Sequence, residues 1–265
     1  MPELLPEAGL SLRLIVRRAT FIAYLLLVHG LLALMLWKSD FVSRVQRRLG
    51  PTREITDEYN RMLAYQTLMD GNVPDRSVVF IGDSLTQGLC TDAVTYPSVN
   101  YGIAGDTTIG VLARLPKYQC IRRASAVVLA IGVNDMKFRD NQQIIQNYTR
   151  ILNAFPQGMP IICSAVLPIV ERIYAPRSVV KNARIAEFNR LLKTLCLQHS
   201  QCIFVDAGNK LADQTGNLSA AFQAGGGVHL NAAGNRIWIG ELRKAIGIVQ
   251  QPKGGQPASN PSVSR

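Results

Sequence analysis

The feature that most constrains the fold of this chain is an apolar run that stops abruptly at a short polar motif. Residues 77–81 read Ser-Val-Val-Phe-Ile, and Gly82, Asp83 and Ser84 follow directly. A continuous β-branched and aromatic run is typical of a strand buried on both faces of a parallel sheet. Sites in such sheets gather beyond the carboxyl ends of the strands, so Ser84 is a candidate nucleophile. The alternative is that Asp83 and Ser84 only cap the following helix.

Apolar runs and helical patterns alternate along most of the remaining chain. The sequence predicts strands near residues 77–81, 98–101, 126–131, 160–166 and 202–205, and helices near 107–117, 141–154, 178–198 and 231–246. Strands that alternate with helices of this length are typical of a doubly wound, mainly parallel sheet. The fold class predicted from the pattern is therefore α/β.

Three further loops carry polar residues at positions where a strand meets a helix. Gly105 and Asp106 follow the second predicted strand, Asn134 follows the third, and His229 directly precedes the last helix. Turn chemistry explains each loop taken singly. Together with Ser84, however, they place an amide donor and an imidazole, which is a candidate general base, at predicted strand ends.

These four blocks, in this order and spacing, resemble the SGNH or GDSL hydrolase family over about residues 76–247. The blocks match at Gly82-Asp83-Ser84-Leu85, Gly102-x-x-Gly105-Asp106-Thr107, Gly132-x-Asn134-Asp135 and His229. The resemblance implies Ser84 as nucleophile and His229 as base, with the oxyanion held by the N–H groups of Ser84 and Gly105 and by the Asn134 amide. It further implies a flavodoxin-like three-layer sandwich around a five-stranded sheet, and ester hydrolysis without a metal or cofactor.

The chain departs from the family pattern at one position. The family usually carries Asp three residues before the histidine, whereas this chain has Gly226, within the run Gly225-Gly226-Gly227. Three consequences are open: a Ser–His dyad that uses a backbone carbonyl to orient His229, a carboxylate recruited from elsewhere, or a domain that has lost most of its catalysis.

An uncharged apolar segment extends from Ala19 to Trp37 and predicts a single transmembrane helix, because a helix of this length spans a hydrocarbon core of about 30 Å. A cleaved signal peptide and a buried core helix are the alternatives. The predicted organisation is a tail (1–18), a transmembrane helix (19–37), a helical stalk (38–75), a hydrolase domain (76–249) and a disordered tail (250–265).

The charge distribution and the cysteines favour opposite membrane orientations. Residues 1–53 carry +5 of the net charge of +11, and more basic residues follow the predicted span than precede it. The positive-inside rule therefore favours a cytoplasmic domain. Against it stand two pairs of cysteines, Cys196 with Cys202 and Cys90 with Cys120, which would form disulfides in an oxidising compartment, with Cys163 left as a buried thiol. Five reduced cysteines are the alternative; we predict an exoplasmic or periplasmic domain.

Composition also bears on the partners. The basic stretches are not interleaved with aromatic residues, and neither zinc-ligand nor helix-turn-helix spacing occurs, so we expect no nucleic acid and no metal. The predicted partners are the lipid bilayer, an O-acylated carbohydrate or another small ester, and a membrane protein complex.

The function predicted from these observations is a membrane-anchored serine ester hydrolase. Short loops without a long lid favour small acyl groups, and we expect acetyl groups on an envelope or secreted polysaccharide as the substrate. The alternative is a non-catalytic or acyl-transferring module that serves as an accessory in a membrane-bound polysaccharide-modifying complex.

Overall fold

The computed structural model describes residues 8–38, 54–174 and 179–250, in two units that divide between Arg53 and Glu54. The first unit contains helix α1, Ala8–Lys38. Within it, Leu14–Met35 has a mean hydropathy of 1.8 and is long and apolar enough to cross a membrane. By length and composition, this helix is a candidate membrane anchor or signal sequence.

Two polar side chains inside this apolar stretch bond to the backbone of the helix. The His29 ring donates from Nδ1 to the carbonyl oxygen of Leu25 at 2.7 Å, and the Thr20 hydroxyl donates to the carbonyl oxygen of Val16 at 2.8 Å. The stalk predicted for 38–75 is described only from Glu54 on. The tail predicted for 250–265 lies, beyond Gln250, outside the described residues.

The second unit is built on one parallel sheet. Its strands are β1 (Val78–Gly82), β2 (Ser98–Gly102), β3 (Ala126–Ala130), β4 (Ile161–Ser164) and β5 (Cys202–Val205). They lie in the order β2-β1-β3-β4-β5, and each neighbouring pair is parallel. In this flavodoxin-like order the connections leave β1 and β3 in opposite directions, which opens a crevice at their carboxyl ends. The predicted α/β fold with five strands is confirmed.

Helices cover both faces of the sheet. They are α2 (Asp57–Asp70), α3 (Ser84–Gln87), α4 (Thr108–Arg114), α5 (Asn141–Ala154), α6 (Glu171–Tyr174), α7 (Asn182–Gln198), α8 (Gly208–Leu211) and α9 (Ala232–Gln250). Because strand side chains alternate between faces, Ile81 packs in one core with Tyr148 and Phe188, whereas Phe80 packs in the other with Trp238.

Several helices begin at residues whose side chains satisfy the first free amides. The Thr56 side chain accepts from the Tyr59 amide and caps α2. The Asp140 side chain accepts from the Gln143 amide, while Gln143 returns a bond to the backbone of Asp140, which completes a capping box at α5.

The fourth strand ends earlier than the sequence pattern predicts. The apolar run extends through Val166, but β4 ends at Ser164. Beyond it, the amide of Val166 donates to the side chain of Asn189 at 2.9 Å instead of to a neighbouring strand. The remaining apolar residues therefore belong to the loop that follows the strand.

The cysteines form one disulfide among the described residues. Cys196 at the end of α7 is bonded to Cys202 at the start of β5, whereas Cys90, Cys120 and Cys163 are free. The second pair that the sequence allowed is therefore wrong: Cys90 is exposed, and Cys120 is buried beside the Tyr101 hydroxyl. Cys163 is a buried strand thiol, as expected, and its sulfur lies within 4.8 Å of both disulfide sulfurs.

Candidate active site

Ser84 follows the end of β1 and begins the short helix α3. Asp83 caps this helix, and its Oδ1 accepts from the Leu85 amide at 2.9 Å. The turn requires glycine at position 82, because a Cβ there would collide with the Thr86 side chain and the Ala130 carbonyl. The sharp turn leaves Ser84 partly exposed at the carboxyl edge of the sheet, while Asp83 is buried.

The buried Asp83 has an unusual proton affinity. Burial raises the pKa of Asp83 to about 7, although the hydrogen bond from the Leu85 amide opposes the shift. Desolvation disfavours the charged form of a carboxyl group, so Asp83 retains its proton at a pH at which an exposed aspartate has lost it.

The structure brings Ser84 and His229 together although they lie 145 residues apart in the sequence. The distance between Ser84 Oγ and His229 Nε2 is 2.9 Å. This separation is within the reach needed for proton transfer between a hydroxyl and an imidazole. The other ring nitrogen, Nδ1, must then carry the proton for Nε2 to accept from the serine.

The loop before His229 depends on glycine. Gly225, Gly226 and Gly227 have φ values of 93°, 69° and 81°, all in the left-handed region. The carbonyl of Gly227 accepts from the Val170 amide at 2.7 Å, and the carbonyl of His229 accepts from the Ala224 amide at 2.9 Å. These two bonds fix the backbone of the loop.

The ring of His229 lacks an orienting partner among the described residues. Across residues 54–174 and 179–250, neither a carboxylate nor a backbone carbonyl hydrogen-bonds to its Nδ1, and Ser84 is its one hydrogen-bond partner. Two of the three possibilities raised by Gly226, a recruited carboxylate and an orienting backbone carbonyl, are thus not found in this part of the chain. The imidazole is exposed and is positioned mainly by its backbone.

Gly105 lies in the loop after β2, which adjoins β1. It has a φ of 76°, and its amide donates to no acceptor in the described residues. The Ser84 amide, at the first position of α3, is also unengaged there. The loop is held close to α3 because the amide of Ala104 donates to Gln87 Oε1 at 2.6 Å.

The side chain of Asn134 follows β3, on the other side of β1. Its Nδ2 donates to the carbonyl oxygen of Asp106 at 3.1 Å, and its Oδ1 accepts from Lys137 Nζ at 3.2 Å. Since the amide is engaged at both ends, its orientation is fixed. The second N–H of Nδ2 remains available to a ligand.

A buried arginine that lies outside the four sequence motifs supports the same edge. Arg114 in α4 donates from Nε to Asp106 Oδ2 at 2.9 Å, from Nη1 to the Tyr101 carbonyl at 2.6 Å and from Nη2 to the Gly82 carbonyl at 3.1 Å. It thereby joins the ends of β1 and β2 to the loop of Gly105. Burial raises the pKa of Asp106 to about 6, although Arg114 lowers it.

The residues on either side of Ser84 line a narrow apolar cleft. Ser84 itself does not line the cleft, whose lining residues are Asp83, Leu85, Ala130, Ile131, Val133, Ala165, Val166, Leu167 and Trp238. Its free volume is about 10 Å³, close to the room that one water molecule needs. The cleft therefore has space for a small apolar group only.

Comparison with known proteins identifies the family of this domain. The model of the GDSL-like lipase/acylhydrolase family matches residues 80–237, more than half of the chain. Curated protein sequences give no significant match.

Solved structures share the fold. A GDSL-like lipase from Bacteroides thetaiotaomicron is 20% identical with a TM-score of 0.62, over 70% of this chain and 97% of that one. A lipase/acylhydrolase from Enterococcus faecalis is 21% identical with a TM-score of 0.58, over 68% and 100% of the two chains. A catalytic mutant of an acetylxylan esterase from Geobacillus stearothermophilus is 20% identical with a TM-score of 0.52, over 65% and 94%.

Proposed function

This chain belongs to the GDSL-like lipase/acylhydrolase family of ester hydrolases, and we propose that it is a membrane-anchored serine esterase. Its proposed substrate is an envelope or secreted polysaccharide, from which it removes small acyl groups, chiefly acetyl. The observation that carries the proposal is the hydrogen bond of 2.9 Å between Ser84 Oγ and His229 Nε2. A serine hydroxyl is a weak nucleophile until a base can take its proton, and this contact supplies the base.

In the proposed reaction, Ser84 Oγ attacks the ester carbonyl while its proton passes to His229. The negative charge that develops on the carbonyl oxygen is stabilised by the N–H groups of Ser84 and Gly105 and by the free N–H of Asn134. His229 then protonates the departing alcohol, which leaves an acyl group on Ser84. Water, deprotonated by His229, releases the acid and restores the serine.

The size of the cleft beside Ser84 supports a short acyl group. The cleft that Asp83 and Leu85 help to line admits about one water molecule, which is enough for the methyl of an acetyl group but not for a longer chain. The structural likeness to an acetylxylan esterase, at 20% identity, favours an acetylated polysaccharide among small esters.

The anchor and the disulfide support the proposed location. The apolar helix Leu14–Met35 is long enough to hold the chain in the bilayer. The Cys196–Cys202 disulfide favours an oxidising compartment, because cytosolic thiols are kept reduced. The basic residues that follow the span argue the other way, and we give the disulfide more weight because it concerns the catalytic unit itself.

The test is the turnover of a chromogenic acetyl ester by the detergent-solubilised full chain. Ser84→Ala should remove all measurable turnover, because it deletes the attacking oxygen and adds no bulk. His229→Gln, which keeps a polar side chain but lacks a base, should lower turnover by at least about 10³-fold, judging by triad variants of serine proteases. Equal turnover in the wild-type and Ser84→Ala chains would overturn the proposal.

An acyl-length series examines the substrate class separately. Turnover should fall by at least about tenfold between the acetyl and hexanoyl esters, a barrier difference of about 1.4 kcal/mol. Faster hydrolysis of the hexanoyl ester would contradict the small-acyl assignment while leaving the esterase assignment in place.

A second candidate function is favoured by the His229 ring, whose Nδ1 has no partner among the described residues. It is an acyl-transferring or non-catalytic accessory in a membrane-bound polysaccharide-modifying complex. A serine-directed phosphonate separates the possibilities. An adduct on Ser84 without hydrolysis of acetyl esters would support acyl transfer, and no adduct on a folded chain would support the non-catalytic role.

A further inference from the structure

The segment that precedes the family-matching region contacts the loops around the candidate active site. The family match begins at residue 80, whereas the described part of the second unit begins at Glu54 and continues into α2. This segment packs on the end of β2 and on α4. The Tyr59 hydroxyl donates to the Gly110 carbonyl at 2.7 Å, and Gln66 Nε2 donates to the Gly102 carbonyl at 3.0 Å.

Glu54 makes the contacts nearest to the oxyanion donors. Its Oε2 accepts from the Thr107 hydroxyl at 2.6 Å, and Thr107 lies two residues after Gly105. Its two oxygens also accept from Arg139 Nη2 at 2.5 and 2.6 Å. A single carboxylate therefore joins the loop after β2 to the short helical turn after β3.

Arg139 also binds Asp135, the residue that follows Asn134. Its Nη1 donates to Asp135 Oδ1. Asp135 Oδ2 accepts from the Thr108 amide at 2.9 Å, and Asp135 Oδ1 accepts from the Thr108 hydroxyl at 2.5 Å. Glu54, Arg139 and Asp135 thus form a hydrogen-bonded network between the two loops. A direct hydrogen bond from Asn134 to the Asp106 carbonyl also joins these loops.

The three side chains of this network are largely shielded from water, which strengthens the hydrogen bonds between them. The side chains of Arg139 and Asp135 are 10% and 0% exposed, and that of Glu54 is 24% exposed. Burial alone would raise the pKa of Glu54, but the hydrogen bonds from Arg139 and Thr107 hold it below its usual value. Partly buried, charge-assisted bonds of this kind hold their partners more firmly than exposed ion pairs do.

We propose that Glu54 is a positioning residue for this active site: by bridging Thr107 and Arg139, it holds the loops of Gly105 and Asn134 in the spacing that an oxyanion requires. The proposal rests on the esterase function proposed above. The functional unit then includes a residue that precedes the family-matching region. Preorganised donors stabilise the transition state more than the ground state, so the loss should appear in kcat and not in KM.

The test compares two charge-neutralising substitutions in the detergent-solubilised full chain. Glu54→Gln removes the bridging carboxylate. Glu58→Gln removes a carboxylate of the same type from α2, where it is exposed and paired with Arg61. Measurements are kcat and KM on the acetyl ester, and the rate and stoichiometry of Ser84 phosphonylation.

For Glu54→Gln we expect kcat to fall about tenfold and KM to stay within about twofold of the wild type. This effect is smaller than the loss of about 10²–10³-fold that follows the removal of an oxyanion donor. The phosphonylation rate should fall with kcat, while the fraction of Ser84 that reacts stays the same. For Glu58→Gln all values should stay within about twofold of the wild type.

Two outcomes overturn the positioning role while leaving the esterase in place. One is a kcat for Glu54→Gln equal to that of Glu58→Gln. The other is a loss of kcat that matches an equal loss of reactive Ser84, which would mean that the substitution only unfolds the chain. A wild-type chain with neither turnover nor adduct would overturn the esterase proposal, and the positioning role with it.

Discussion

Ser84 and His229 share one hydrogen bond, but the two regions that supply them are built in opposite ways. On the serine side, Asp83 is buried and the Asn134 amide is engaged at both ends. On the histidine side, the ring is exposed, has Ser84 as its one partner among the described residues, and follows Gly226 in a left-handed loop. The nucleophile and the candidate oxyanion donors are fixed by side chains, whereas the candidate base is fixed by its backbone.

From this difference we expect catalytic efficiency to be limited on the histidine side. In serine proteases, an aspartate that orients the histidine selects its tautomer and stabilises the imidazolium, and its loss costs about 10⁴ in turnover. The serine side of this molecule carries the candidate oxyanion donors, and one such donor is worth about 10²–10³ in turnover. We therefore expect a slow esterase whose rate is limited by the histidine side.

On the serine side, a substitution in the candidate oxyanion site should lower turnover strongly. Asn134→Ala should lower kcat on an acetyl ester by about 10²–10³-fold, because it removes a preorganised donor to the oxyanion. The measurement is steady-state kinetics of the full chain, with KM expected to change little.

Asn153→Ala serves as the control for Asn134→Ala, since Asn153 lies on the exposed surface of α5, away from the site. A decrease of less than about threefold for Asn134→Ala would mean that the amide does not contact the oxyanion, because one lost donor is worth far more.

On the histidine side, a substitution should change kcat by a smaller factor and in the opposite direction. Gly226→Asp places a carboxylate three residues before His229 and should raise kcat at least about tenfold, a barrier change of about 1.4 kcal/mol. The position has a φ of 69° and open space around an added Cβ. Asp and Asn tolerate this backbone conformation better than most residues.

Gly226→Asn is the matched control, because Asn has the same shape and the same backbone demand without the charge. We expect the Asn chain to be no faster than the wild type. If Asp and Asn give equal rates in folded chains, orientation of the imidazole does not limit turnover.

The smallest expected effect concerns the buried Asp83. Its pKa is raised to about 7 in the folded state, so between about pH 4 and pH 7 the unfolded chain has lost a proton that the folded chain retains. The unfolded state binds fewer protons there, and the wild-type stability falls as the pH rises. Asp83→Asn removes this dependence. The free energy of unfolding of the variant, relative to that of the wild type, should therefore increase by about 1 kcal/mol or more from pH 5 to pH 8.

Urea denaturation of the catalytic unit in the full chain, at pH 5 and pH 8, measures the effect of Asp83→Asn. Asp75→Asn is the control, since the Asp75 carboxylate is largely exposed. A difference between wild type and Asp83→Asn that is the same at both pH values would show that Asp83 is ionised in the folded state throughout this range.

Much of the fold could be predicted because it depends on local patterns. The apolar run that ends at Gly82 predicted a buried strand, and the alternation of strands with helices predicted the parallel sheet. The main boundary error was β4, which ends at Ser164 although the apolar run continues. Hydropathy cannot separate a strand from a buried loop, whose amides here bond to a side chain of α7.

The sequence alone is enough to establish the order of the motifs, the apolar helix at the amino terminus and the absence of Asp from position 226. It named Ser84 and His229 as partners only through a family resemblance, since no local pattern links residues so far apart. Only the tertiary structure decided that they lie 2.9 Å from each other, which of the cysteines are paired, and that Glu54 and Arg139 connect the loops beside the site. The physical reason is that strands and helices follow from neighbouring side chains, whereas a site forms where parallel strands bring distant loops to one edge of the sheet.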